Sequence, residues 1–369
     1  MPPAKKTTTK KTTTKKTTAK KKAPPKPKDS DAAFRDFMAG DKVMDLLVLS
    51  DDEVLSNVSG YISTQSLALN KALGLPGVPR GRLIEVSGDE HTGKSTVLDH
   101  LFAETQRIGG TAILIDPEVG RDAKYTRGIG VDADKLFSPQ PKDGKFFTIE
   151  QVFSFIGRTC DYFREKDPNR TVLIGVDSIA GLPTEEDTKR EAGELKPGDA
   201  AKSIHHGLRT TIQRIAQTNI TLVFVNQLYD NIGGFGFDQR KEYGGRAIRY
   251  HASVRMRLNR MGAIKTSRDE VIGMISQANV LKTKVSGMTG NKVKFGILHG
   301  RGIDNTWTLF NALKDEGYIG NSGPWWSMKI PDQGDLKWTG QHIGLAEKLQ
   351  EDPKLYEHLC WVYSQCVAA

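Results

Sequence analysis

The chain has 369 residues, of which 26% are charged, and a formal net charge of +9. No apolar stretch reaches the length of a membrane helix, so a helical membrane protein is excluded. The three cysteines, Cys160, Cys360 and Cys366, are too few for a disulfide framework and lack metal-ligand spacing, which fits a reduced, cytoplasmic protein.

The charge is unevenly placed. Residues 1–28 hold eleven lysines and no acid, and removing them leaves 42 basic against 44 acidic residues. Lysine pairs separated by threonines, with almost no apolar side chain, cannot offset the entropy of ordering, so residues 1–29 are expected to be a disordered tail. Such a tail favours a polyanion, nucleic acid above all, and the bland alternative is a solubilising extension. Residues 30–60 begin with "DAAFRDFMAGDKVMDLL", a short helical pattern with too little apolar surface for a domain, and read as an attachment element.

A phosphate-binding signature follows. "GDEHTGKS" (Gly88, Asp89, Glu90, His91, Thr92, Gly93, Lys94, Ser95) fits G-x-x-x-x-G-K-[ST], with Thr96 next. The apolar run Leu83, Ile84, Val86 predicts a strand before it. Val97, Leu98, Leu101 and Phe102 predict a helix after it. In that context, backbone N–H groups at the helix start face an anion, Lys94 reaches the β- and γ-phosphates, and the Ser95 hydroxyl suits Mg²⁺.

Beyond it, "TAILID" (111–116), "TVLIGVD" (171–177) and "ITLVFVN" (220–226) are continuous apolar runs typical of buried parallel strands. Helical patterns at 148–165 and 200–217 lie between them. The expected architecture is α/β: a mostly parallel, doubly wound sheet over residues 61–300, then a small α+β domain over 301–369. Three strand ends carry chemistry. Asp177 is placed to hold Mg²⁺, Glu118 to act as general base toward water, and Gln227 to sense a γ-phosphate. The segment 228–245 after Gln227 carries Gly233, Gly234, Gly236, Gly244 and Gly245 among aromatic residues, a composition suited to single-stranded nucleic acid.

From about Ser59 to Cys366 the chain resembles the bacterial RecA recombinase family. The motifs "GLPGVPRGRLIEVSGDEHTGKST", "LIDPE", "DADKLFSPQP", "VDSIAGL", "FVNQ", "GGRAIRYHASVRMRL" and "ILHGRGID" stand in family order. The resemblance is to a compact bacterial or phage-type member. It implies a RecA-type P-loop ATPase core with a short N-terminal polymerisation element and a small C-terminal domain. It further implies a helical homo-oligomeric filament on single-stranded DNA, paired with homologous double-stranded DNA, using ATP and Mg²⁺ in the cytoplasm. By the same resemblance, Glu118 activates water and Gln227 couples the γ-phosphate to the DNA loop. Asp122 and Tyr125 lie at the adenine, and Lys282 and Lys284 reach a neighbour's nucleotide. Tyr250 is an interface position. The implied DNA contacts are Lys202, Arg209, Ile232, Gly233, the backbone of Gly244 and Gly245, and Arg246, which stands where bacterial members usually carry Asn. In the first DNA loop, Pro197 replaces a usual methionine beside Gly198. Gly236 replaces a Phe, basic residues are missing at Asn259, Gln277 and Asn279 while Arg260 remains, and the acidic C-terminal tail is absent. A ring-forming RecA-fold helicase is the alternative, disfavoured by the lysine pair and the small domain after the core.

Overall fold

The computed structural model describes Phe34 and residues 56–142, 147–190, 198–230, 240–266, 268–330 and 334–366, without the side chains of Asp230 and Cys366. The lysine-rich tail, the 30–60 element apart from Phe34 and residues 56–60, and Pro197, Ile232 and Gly233 lie outside the described residues. The chain divides into two units, Met1–Val54 and Leu55–Ala369. In the first, only Phe34 is described; it is helical and exposed.

The second unit opens with β1 (Tyr61–Ile62), α1 (Leu67–Leu73) and β2 (Val78–Pro79). Next come β3 (Leu83–Gly88), α2 (Lys94–Arg107), β4 (Thr111–Ile115) and α3 (Ala123–Gly128). They are followed by β5 (Leu136–Phe137), α4 (Ile149–Lys166), β6 (Val172–Val176) and α5 (Asp199–Gln217). Then β7 (Ile220–Asp230), β8 (Arg240–Glu242) and α6 (Arg246–His251) lead to β9 (Val254–Lys265). The sheet is completed by β10 (Val271–Thr283), β11 (Lys292–Leu298) and β12 (Gly302–Asp304).

The central sheet has the order β12-β11-β10-β9-β3-β7-β6-β4-β5, with β8 added to β7. From β9 to β5 the pairings are parallel, as the continuous apolar runs predict. From β9 to β12 they are antiparallel. That extension escapes the sequence reading because β10 buries only alternate or scattered positions, and its apolar residues are interrupted by Ser276, Gln277 and Asn279.

Side-chain alternation along the strands divides the apolar interior into two layers. Val223 and Val225 of β7 join Leu98, Leu101 and Phe102 of α2 on one face. Leu222 and Phe224 point the other way, into Phe153 and Ile156 of α4 and Ile204 and Leu208 of α5. The Phe153 and Phe224 rings meet edge-on at 6.2 Å. Each such side chain, once buried, contributes about 1.5–3 kcal/mol against exposure. Helix α4 begins at Ile149 because Thr148 and Gln151 form a reciprocal capping box.

After β12 come α7 (Asn305–Asp315), the antiparallel strands β13 (Ile319–Ser322), β14 (Trp325–Ile330) and β15 (Gly334–Thr339), then α8 (Gln341–Glu351) and α9 (Pro353–Cys366). They share a core of their own around Phe310, Trp338, Leu345 and Leu359. Among the described residues no helix is long and apolar enough to cross a membrane. Cys160 is buried and Cys360 half-buried, both as free thiols, and burial raises the pKa of each.

His100 ties three segments together. Its Nδ1 lies 2.8 Å from Gln65 Oε1, and its Nε2 accepts the Ile303 N–H at 2.8 Å, so the neutral tautomer with a proton on Nδ1 satisfies both. Burial lowers its pKa to about 4. Because the unfolded histidine protonates near 6.5 and the folded one does not, stability falls as pH drops from about 6.5 to 4. The loss should approach about 3 kcal/mol. Urea denaturation across that window should show this fall, and His100→Gln should flatten it.

Candidate active site

The phosphate loop starts where β3 stops. In register, Gly88 faces Gln227 on β7 and Leu258 on β9. A Cβ at Gly88 would lie 2.5 Å from the Leu258 carbonyl oxygen, so only glycine lets the backbone turn here. Gly93 has φ of 95°, a conformation that L side chains rarely adopt, and caps α2. The turn between them directs its backbone toward the start of α2 and leaves a cavity of 340 Å³, lined by His91, Lys94, Ser95, Thr96, Tyr125 and Arg260 among others. Lys94 is buried, and its Nζ donates to the Asp89 carbonyl at 2.7 Å. Desolvation lowers its pKa, while Asp177, Asp89, Glu118 and Glu90 pull the other way. An ammonium held out of water among carboxylates suits a polyanion that brings compensating charge.

Parallel pairing brings two more strand ends alongside. Ile115 of β4 is in register with Val176 of β6, so Glu118 and Asp177 emerge together just past these strands. Glu118 Oε1 accepts a 3.0 Å hydrogen bond from Gln227 Nε2 and another from Ser178 Oγ. Asp177 is buried, and its Oδ2 accepts from Arg121 Nη2 at 2.7 Å. The same guanidinium pairs with Asp99 of α2. Burial, reinforced by Asp177, pushes the Asp99 carboxyl up to about 6 while Arg121 opposes the rise, so the pair is ionic at neutral pH.

The two residues expected at the adenine lie on and beside α3. Tyr125 is partly exposed, and its hydroxyl lies 3.0 Å from Thr96 Oγ1, at the rim of the cavity. Asp122 caps α3, accepting from the Lys124 N–H at 2.7 Å. Arg260, the basic residue that remains beside Asn259, lines the same cavity as Lys94.

Lys282 and Lys284 lie elsewhere. Lys282 is in register with Arg255, which pairs with Glu85, three residues before Gly88 on β3. At about 3.3 Å per residue this sets the lysines back toward the opposite end of the sheet from the chain's own phosphate loop. Both Nζ atoms donate to the Tyr250 carbonyl, at 3.1 and 3.0 Å, and Lys282 also donates to that of Arg249. The Tyr250 side chain is exposed.

The described positions that the resemblance assigns to DNA lie on α5, on α6 and just before them. Gly198 is the N-cap of α5 with φ of 99°, and Lys202 and Arg209 are exposed on that helix. Gly244 and Gly245 pass over the first turns of α5, where added Cβ atoms would meet Ile204 and Ala201. Arg246, exposed, opens α6.

Several residues of the site escape a sequence reading. Beneath the exit of the glycine-rich segment, Glu242 is buried and meets Arg249, Arg255 and Arg257 at 2.5, 3.1 and 2.8 Å. Arg255 also pairs with Glu85, which accepts from Asn226. Burial works to raise the Glu242 pKa, but the three arginines outweigh it and hold it low. Arg121 and Ser178 are missed as well. The only signal for Arg121 is Asp99, a carboxylate on the apolar side of a predicted helix.

Against this geometry, a profile of the RecA N-terminal domain matches residues 39–304. The chain belongs to the RecA family. Protein RecA of Rubrobacter xylanophilus is 36% identical over 303 residues, covering 81% of this chain and 84% of the relative. Protein RecA of Mannheimia haemolytica is 32% identical over 79% of this chain and 77% of its own length. That of Syntrophus aciditrophicus is 36% identical over 72% and 74%. The chain is accordingly a RecA-type recombinase of DNA recombination and repair. It is a DNA-dependent ATPase that binds nucleotide and DNA and forms filaments. The family assignment sets aside the ring-forming helicase.

Burial, with Lys284 and Arg255 nearby, lowers the Lys282 pKa to about 8. The amine is therefore largely charged below pH 8 and largely neutral above it. Under limiting acylation at pH 8, Lys282 should be modified ahead of ordinary surface lysines, whose pKa is near 10.4. Its labelling rate should rise between pH 7 and 9 and then level, as read residue by residue by mass spectrometry.

Proposed function

We propose that the bound nucleotide is ATP with Mg²⁺, and that the DNA partners are a single strand, on which the filament forms, and a homologous duplex. The residues fit the group. A loop whose glycines cannot carry a Cβ, a desolvated lysine and the hard oxygen donors Ser95 and Asp177 are what a nucleoside triphosphate and Mg²⁺ require. The cation, when bound, supplies charge neutralisation at the transferred phosphate. Ser95 and Asp177 would hold it.

The observation that carries the reading is the double acceptor role of Glu118 Oε1, from Gln227 and Ser178. Gln227 fixes the carboxylate from the strand that runs directly into the glycine-rich loop. Glu118 takes a proton from the attacking water, Lys94 offsets the growing charge, and any shift of Gln227 is felt on β7. In this reading Tyr125 and Asp122 flank the base of the nucleotide. Lys202, Arg209, Gly198, Gly244, Gly245 and Arg246 follow the DNA backbone, together with Pro197, Ile232 and Gly233.

Lys282 and Lys284 act on a neighbour's nucleotide, and the position of both lysines supports that assignment. Tyr250 marks the same subunit contact. Residues 30–60 form the polymerisation element, 61–300 the ATPase core and 301–369 a small terminal domain.

Glu118→Gln should bind ATP normally and hydrolyse it at least about a hundredfold more slowly in a single-strand-stimulated phosphate-release assay. Near-parental turnover would move the base elsewhere. Mixing Glu118→Gln with Lys282→Ala subunits should give activity above the sum of the two alone, because some interfaces regain both groups. Strict additivity at every mixing ratio would count against a site shared between subunits.

A further inference from the structure

We infer that Arg121 competes with the divalent cation for Asp177, and that buried Asp99 is the counter-charge that retains the guanidinium when Asp177 is given up. The inference rests on the proposed role of Asp177 as a cation ligand, and goes beyond it.

Three observations carry it. Arg121 forks between two carboxylates, with Nη2 on Asp177 at 2.7 Å and Nη1 on Asp99. The same Nη1 lies 3.4 Å from the backbone carbonyl oxygen of Ser95, so the guanidinium stands on Asp177 and beside the residue whose hydroxyl is the other proposed cation ligand. The two acids are not equivalent. The Asp99 side chain is wholly buried, and its Oδ2 meets no hydrogen-bond partner among the described residues. Asp177 keeps 11% of its side chain exposed and feels Lys94.

Withdrawing Arg121 from Asp99 would strand a buried charge, which is costly. Withdrawing it from Asp177 is not, once a divalent cation takes its place. Ser95 and Asp99 stand four apart on α2 and therefore on one face, so the guanidinium can stay on Asp99 while the cation site fills beside it. The planar fork of arginine permits this sharing, whereas the single ammonium of lysine does not. Arg121 is thus a positioning residue that sets how readily the cation enters.

The test is Mn²⁺ binding to the full chain at saturating ADP, read from the electron paramagnetic resonance signal of free Mn²⁺. Arg121→Leu should bind Mn²⁺ about tenfold more tightly and Asp99→Asn about tenfold more weakly, within the usual range of coupling between sites. The double variant should behave like Arg121→Leu, because Asp99 acts through the arginine. Arg121→Lys keeps a charge for Asp99 and should also bind more tightly than the parent. It carries the test, together with the double variant, if Arg121→Leu does not fold. Weaker or unchanged binding in the position-121 variants would overturn the inference. So would an Asp99→Asn effect that persists undiminished without Arg121. Asp177→Asn separates the two levels: if it leaves Mn²⁺ binding intact, the cation-ligand reading itself fails.

Discussion

Everything at the site depends on the parallel register of β3 between β7 and β9. Gly88 faces Gln227 on one side and Leu258 on the other, so the phosphate loop leaves the sheet at the level of the residue that holds Glu118. Parallel strands all end at one edge, and only a crossover helix can return the chain for the next strand. Lys94, Glu118 and Asp177 follow three different strand ends for that reason, and Gln227 comes from within a fourth strand, β7. Their convergence is a property of the sheet, and the loops only complete it.

The same sheet keeps two lysines apart from the phosphate loop. The antiparallel strand β10 runs back past β9 and delivers Lys282 and Lys284 away from the chain's own loop, against the carbonyls of α6. Between the two ends lies a buried ionic network, from Asn226 through Glu85 and Arg255 to Glu242, and from Glu242 to Arg249, whose carbonyl holds Lys282. Removing one partner from such a network leaves a buried charge uncompensated, at a typical cost of about 3–5 kcal/mol. The described base of the glycine-rich segment, at Glu242, is therefore fastened firmly.

Charge is managed differently at the nucleotide. Carboxylates from three elements, Asp99, Glu118 and Asp177, surround a site meant for a polyanion, and each has a partner. Arg121 covers two of them, and Ser178 and Gln227 the third. By contrast, the Arg240–Asp89 pair at 2.6 Å is half-exposed and contributes at most about 1 kcal/mol.

Much of this was legible in the residues alone. The glycine spacing before Lys94, the continuous apolar strands and the acids at their ends determine an α/β nucleotide-binding core, because burial on both faces and a Cβ-free turn are local demands. The motif order from Gly74 to Asp304 determines the family. The antiparallel half of the sheet was not legible, since strands exposed on one face mix Ser276, Gln277 and Asn279 with apolar neighbours. Nor were the partners of buried charges: Arg121 is 22 residues from Asp99 and 56 from Asp177, and Glu242 is 13 from Arg255. Sequence determines which residues can carry charge and which must be buried. Which opposite charge meets them inside is decided only when distant strands pair, because an ion pair is a matter of distance in space and leaves no periodicity along the chain.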